Sequence, residues 1–157
     1  MKLDTLRYGT IHIEPDDIWT FPEGLLGFPN CTEFTFINEE DTAPFRILQS
    51  LDSPSLAFVL IDPLIVNPTY HFKLTLDDIK VIKTSKVDNV SVYCIVSLSE
   101  SLKDATINLQ GPLVVNNKAK MGHQFVLFED DYSVNEKLIK EDVIKSQKED
   151  DKVVGLD

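Results

Sequence analysis

Between Val90 and Leu98 every second residue is apolar: Val90, Val92, Cys94, Val96 and Leu98. A period of two is the repeat of a strand with one buried face, and this stretch predicts the clearest strand in the chain. A second alternating stretch runs through Thr106-Ile107-Asn108-Leu109-Gln110, with Ile107 and Leu109 on one side and the polar residues on the other. Gly111-Pro112 interrupts it, Val114 and Val115 resume it, and Asn116-Asn117 close it with a turn. Proline donates nothing to a strand ladder, so the break predicts an edge, a bulge or a kink. A strand bent in mid-course is what a curled, barrel-like sheet requires.

The rest of the chain repeats this pattern in short pieces. Leu6 to Ile13 reads as a first strand, with Gly9 a candidate bulge, and Ile18 to Phe21 as a short second one. Phe34 to Ile37 follows, and then Phe45 to Leu51 and Leu56 to Ile61 flank Asp52-Ser53-Pro54-Ser55, a connection of hairpin length. The run Leu56–Ile61 is apolar on both faces, which predicts a central strand covered on both sides. Gln124 to Phe128 reads as the last strand. Thr75 with Asp78 three residues on predicts the N-terminus of a helical turn, and Ser133 with Glu136 predicts a short helix from about Val134. Two glycines and two prolines set among large apolar residues in Phe21–Pro29 predict a loop that packs down as a hydrophobic plug at one end of a sheet.

Many short strands with turn signals at roughly ten-residue intervals indicate an all-β fold, an antiparallel, barrel-like sheet with one or two short helices. No internal repeat or linker divides the chain, so residues 1–140 form a single expected domain. Residues 141–157 form a charged tail, expected to be frayed or disordered because Lys145 to Asp157 offers only Val153, Val154 and Leu156 for burial.

Charge narrows the function. The 157 residues carry 26 acids against 15 Lys and Arg, a net −11. Phosphates attract cations, so this balance opposes direct nucleic-acid binding and suits a basic protein partner. The acids free to project without disturbing a core lie in turns: Glu39, Glu40 and Asp41; Asp77 and Asp78; Glu129, Asp130 and Asp131. No apolar run approaches the 18 or so residues of a membrane span, and the N-terminus lacks the apolar region of a signal peptide, so a cytoplasmic protein is expected. Cys31 and Cys94 have no metal-like spacing and are expected as reduced thiols, Cys94 in a core.

Signatures of catalysis are missing. His12, His71 and His123 are scattered, and no His-Glu-x-x-His, Cys-x-x-Cys, Gly-x-Ser-x-Gly or phosphate-binding glycine loop occurs. From the residues alone the chain is a β domain that binds something. A small hydrolase or ligand-binding barrel, its cavity plugged by Leu25, Leu26 and Phe28, would need convergent titratable groups that the sequence does not supply.

Four blocks carry a family resemblance. Phe21-Pro22-Glu23-Gly24-Leu25-Leu26-Gly27-Phe28 comes first, then Phe45 to Leu51 with Phe58 to Pro63. Ala105 to Asn116 is the most specific, and Gly122 to Leu127 follows it in order. Together they resemble the flagellar assembly factor FliW family over about residues 5–130. Gly111 departs from the alanine common in the family, and the tail beyond Lys140 lies outside the likeness.

The resemblance implies a cytoplasmic, non-enzymatic protein with a barrel-like β fold and no cofactor. Its implied partners are flagellin, bound before export, and CsrA, a small basic dimeric RNA-binding regulator whose repression of flagellin synthesis it relieves. An export chaperone for another filament subunit is the alternative the sequence does not separate from this one.

Overall fold

The short strands do what a curled sheet permits: they close into a ring. The structure, a computed structural model, describes residues 1–37, 40–84, 89–128 and 130–139. The strands in chain order are β1 (Lys2–Thr5), β2 (Gly9–His12), β3 (Trp19–Thr20), β4 (Glu33–Ile37), β5 (Arg46–Ser50) and β6 (Ala57–Ile61). After the short helices α1 (Pro63–Val66) and α2 (Leu76–Lys80) come β7 (Val90–Ser97), β8 (Thr106–Ile107), β9 (Leu113–Asn116), β10 (Met121–Gln124) and β11 (Glu136–Lys137).

Seven strands form a closed ring in the order β3-β4-β5-β6-β7-β9-β10, with β10 returning to β3. Closure gives every strand of the ring a neighbour on both sides, the seam of β10 with β3 through a single residue pair. Six of the pairings are antiparallel, as the sequence predicted, and the closing seam between β10 and β3 is parallel, with Met121 opposite Thr20. The β1–β2 hairpin stands as a separate sheet, and β8 with β11 extends the barrel wall beside β7.

The bent stretch 106–116 runs along one side of β7. Near one end Ile107 lies opposite Val96, and further on Leu113 lies opposite Tyr93. One chain uses six steps where its partner uses three, so three extra residues are pushed out at Asn108–Pro112. Asn108 closes this bulge, its Oδ1 accepting from the backbone N–H groups of Gln110 (3.1 Å) and Gly111 (3.0 Å). Pro112 sits where no donor is required, and its carbonyl accepts from Phe125 N–H at 2.9 Å.

Two apolar clusters share β6 and β7. The barrel interior is filled by side chains that include Trp19, Phe21, Leu25, Phe34, Leu48, Leu60, Leu113 and Val115, with Tyr93 and Ile95 packed against them. The outer cluster holds Ile61, Tyr70, Cys94, Val96, Ile107, Leu109 and Leu127. So odd positions of β7 face the barrel and even ones face outward, against the single buried face that alternation predicted. Of the even set, Cys94 and Val96 are buried, Val90 and Val92 are half-buried, and Leu98 is exposed. Cys31 and Cys94 are both buried free thiols.

Several local expectations change. Leu6–Ile13 is not one strand: residues 6–8 turn between β1 and β2, and Gly9, at φ +66°, receives the chain where a side chain would be strained. The last barrel strand is Met121–Gln124, earlier than Gln124–Phe128, because Phe125 and Leu127 bond to the bulge at Pro112 and Gln110 instead of to a ladder. The helix expected from Val134 does not form. Ser133 Oγ accepts from Asn135 N–H in a turn, and Glu136 and Lys137 pair with β8 as β11. Thr75 does cap α2, accepting from Asp78 N–H at 3.1 Å while Asp78 accepts from Thr75 N–H at 2.8 Å. The tail of residues 141–157 lies outside the described residues.

Candidate functional site

The barrel interior is filled, so binding surfaces lie outside it. The loop Phe21–Pro29 helps fill it through Phe21 and Leu25, which are buried. Leu26 and Phe28, expected in the plug, are exposed instead. The cause is a tight reversal: Leu25 and Phe28 exchange backbone bonds, and Gly27 (φ +85°) turns the chain between them, directing Leu26 outward.

A cleft of about 530 Å³ opens on the outer face of β7, walled by Leu64 of α1, the segment Tyr70–Phe72, Leu74 and Val92. Tyr70 anchors its wall, donating from its hydroxyl to the Leu109 carbonyl at 2.7 Å. Burial holds the Tyr70 phenol protonated well above its ordinary range, and burial pushes the neighbouring Cys94 thiol up to about 12. These shifts mark a packed wall.

One acid lines this cleft, and the described acids among those expected from the sequence lie outside its lining. Asp62 lines it and caps α1, its Oδ1 accepting from Leu64 N–H at 2.9 Å. Sequence reasoning missed Asp62 as a surface group, although Asp62-Pro63 is the signature of a capped helix start. Asp130 and Asp131 precede Tyr132, which exchanges hydrogen bonds with the His71 backbone (both 3.1 Å) and sets its ring 4.6 Å from that of Tyr70, tilted by 50°. Asp130 is close enough to act electrostatically on the Tyr70 phenol. Asp77 and Asp78 lie on α2, outside the cleft lining, where Asp77 pairs with Lys80 at 3.5 Å and Asp78 is committed to the cap. Asp41 is exposed in the turn Glu40–Thr42 between β4 and β5, at the end of the hairpin where β6 also leaves. Glu39 and Glu129 lie outside the described residues.

A second depression, of about 510 Å³, lies across the start of β6 and the end of β7. Ala57, Phe58 and Val59 are only half-buried there, so the two-sided coverage predicted for β6 holds for Leu60 and Ile61 alone.

The three histidines are dispersed. His12 Nε2 lies 2.7 Å from Glu14, and His71 Nδ1 lies 2.9 Å from the Thr69 carbonyl. His123 Nδ1 is enclosed, with Glu23 Oε2 3.2 Å away but not aligned as a hydrogen bond. Among the described residues no three His, Cys, Asp or Glu converge as metal ligands, and no helix is long and apolar enough to cross a membrane.

The family model described as FliW protein matches residues 2–138. The chain is 37% identical over 145 residues to the flagellar assembly factor FliW of Geobacillus sp. (strain WCH70), covering 92% of this chain and 100% of that one. It is 33% identical over 142 residues to the same factor of Caldanaerobacter subterraneus subsp. tengcongensis, covering 90% and 95%. A crystal structure of the flagellar assembly factor FliW superposes with a TM-score of 0.83 at 33% identity, over 89% of this chain and 98% of the other.

Proposed function

The chain belongs to the FliW family, and on that premise we propose that it is a non-enzymatic, cytoplasmic flagellar assembly factor. It binds flagellin before export and antagonises the regulator CsrA, relieving repression of flagellin synthesis. It binds no nucleic acid directly.

The observation that carries the regulator contact is the apolar cleft on the outer face of β7, with Asp62 in its lining and Asp130 close enough to act on its Tyr70. Apolar walls give such a contact its affinity, while surrounding carboxylates steer a basic partner and repel RNA phosphates. Asp130 and Asp131 are the strongest candidates, because Tyr132 holds their segment beside His71 and no lysine neutralises them among the described ion pairs. Asp77 is partly neutralised by Lys80. Asp41 lies apart in the turn between β4 and β5; Glu39 and Glu40 adjoin it in sequence, as Glu129 adjoins Asp130.

The test is titration of lysine variants against the regulator at low and high ionic strength. Asp130→Lys with Asp131→Lys should weaken binding most at low salt, because opposite charges attract less once screened. Asp77→Lys should have a smaller effect. If all charge-reversed clusters bind the regulator as the wild type does at low salt, acidic steering is wrong and the contact is apolar or backbone in nature.

A further inference from the structure

We infer that the groove across the start of β6 and the end of β7 is the docking surface for the filament subunit, taking an extended apolar segment that carries an Asp or Glu. The inference rests on the reading above that flagellin is bound, and adds where and by what chemistry. Leu26, Phe28, Leu98 and Val134 all line this groove, and their exposures of 57%, 39%, 54% and 48% are large for apolar side chains on a folded surface. They come from three separate parts of the chain: the Phe21–Pro29 loop, the end of β7 and the turn before β11. Clustering of exposed apolar groups from distant segments is the mark of an interaction site, not of scattered surface residues.

The groove is built rather than loose. Gln124, 7% exposed, ties its two banks: its Oε1 accepts from Leu26 N–H at 2.9 Å and its Nε2 donates to the Gly111 carbonyl at 2.9 Å. Phe28 rests edge-on against Phe58 on the floor, at 5.3 Å between ring centres. Asn108, on the bulge, spends its carbonyl on the turn and leaves its amide Nδ2 without a hydrogen-bond acceptor among the described residues.

Charge selects the occupant. In a chain of net −11, the lining of this groove contains no acid and one cation, Arg7. Arg7 is exposed in the turn between β1 and β2, and its guanidinium has no carboxylate partner among the described ion pairs. The turn is held by the Leu6 N–H bond to the Pro54 carbonyl (3.2 Å) and by Thr5, whose hydroxyl donates to the Gly9 carbonyl at 2.7 Å. An exposed guanidinium without a carboxylate partner among the described ion pairs, carried on a held turn beside an apolar floor, suits a carboxylate set in an apolar segment. It disfavours a basic partner, so this surface fits the filament subunit and not the regulator. An unassembled filament subunit presents apolar segments that only the filament would otherwise cover.

The experiment measures binding of purified monomeric flagellin and of the purified regulator to the wild-type protein and to Leu26→Asp, Leu98→Asp and Arg7→Glu. All three positions are exposed, so each variant should keep the wild-type melting temperature. Leu26→Asp and Leu98→Asp should each weaken flagellin binding about tenfold or more, as expected for residues at the centre of an interface, with regulator binding within about twofold of wild type. Arg7→Glu should weaken flagellin binding at low salt, and the loss should shrink as salt rises. Flagellin binding within about twofold of wild type for both leucine variants overturns the groove assignment while leaving the proposed function standing. Loss in the leucine variants without loss in Arg7→Glu overturns the carboxylate. Failure of the wild-type protein to bind flagellin at all overturns the functional reading itself.

Discussion

Gln124 and Gly122 lie two residues apart on β10 and are constrained by opposite means. Gln124 satisfies a backbone donor at Leu26 and an acceptor at Gly111. Replacing it with leucine would leave the buried Gly111 carbonyl and the part-buried Leu26 N–H without this partner, and about 1–3 kcal/mol of stability should be lost in urea unfolding. At Gly122 a methyl group would stand 2.5 Å from the ring of Phe21 and 2.9 Å from Val115. Phe21 is 1% exposed and has nowhere to retreat, so Gly122→Ala should cost about 1–3 kcal/mol by overpacking. Two neighbouring acids on α2 should also separate: Asp78→Lys breaks the reciprocal bonds with Thr75 and should cost ~1 kcal/mol, as lost helix caps do. Asp77→Lys, at a 92% exposed side chain, should leave the melting curve unchanged.

Among the elements, the bent strand decides the most. Its bulge lets one stretch of chain serve two places: Ile107 in β8 closes the outer cluster, and Leu113 and Val115 in β9 close the barrel. Leu109, 1% exposed, sits in the bulge between them, and its carbonyl receives the Tyr70 hydroxyl. Leu109→Ala should therefore cost roughly 2–5 kcal/mol in equilibrium unfolding, the range for a large-to-small change in a core. A loss below 1 kcal/mol would show that the outer cluster collapses around the gap, and that the bulge is held mainly by Asn108 and Gln124.

For the whole molecule, alkaline pH is the sharpest probe of the outer cluster. Burial raises Cys94 from its ordinary 9.0 to about 12, and raises Tyr70 above its ordinary 10.0. Below pH 9 both groups keep their protons whether the chain is folded or not, and their contribution to stability is complete. Above it the unfolded chain ionises first, so stability falls as pH rises towards the folded values, by about 1.4 kcal/mol per pH unit for each group in its window. Unfolding free energies measured from pH 8 to 11 should decline accordingly. In Cys94→Ala the decline between pH 9 and 10 should be shallower, because Tyr70 begins to contribute only above 10. An identical slope in the variant would mean that the thiol is not enclosed by this cluster.

What the sequence determined by itself were properties carried by near neighbours in the chain. Alternation predicted β7 and the bent stretch, because a strand's two faces are set by a period of two residues, and short apolar runs between turn signals predicted β4, β5 and β6. Gly111-Pro112 marked the break because backbone chemistry at one position decides it, and Thr75 with Asp78 marked α2 because a capping box spans four residues. Ser133 with Glu136 carried the same local pattern and failed, since pairing with β8 offered those backbone groups better partners than one helical turn. Tertiary structure alone decided the parallel seam of β10 with β3, the use of both faces of β7, and the exposure of Leu26 and Phe28. It also placed Asp62 in one cleft, with the segment of Tyr132 tied to its wall at His71, and gathered Arg7 with Leu26, Leu98 and Val134 around another. Those groupings depend on ring closure and on bonds such as Tyr132 to His71, which join residues 61 positions apart, and no local pattern can encode a distance that the folding of the intervening chain creates.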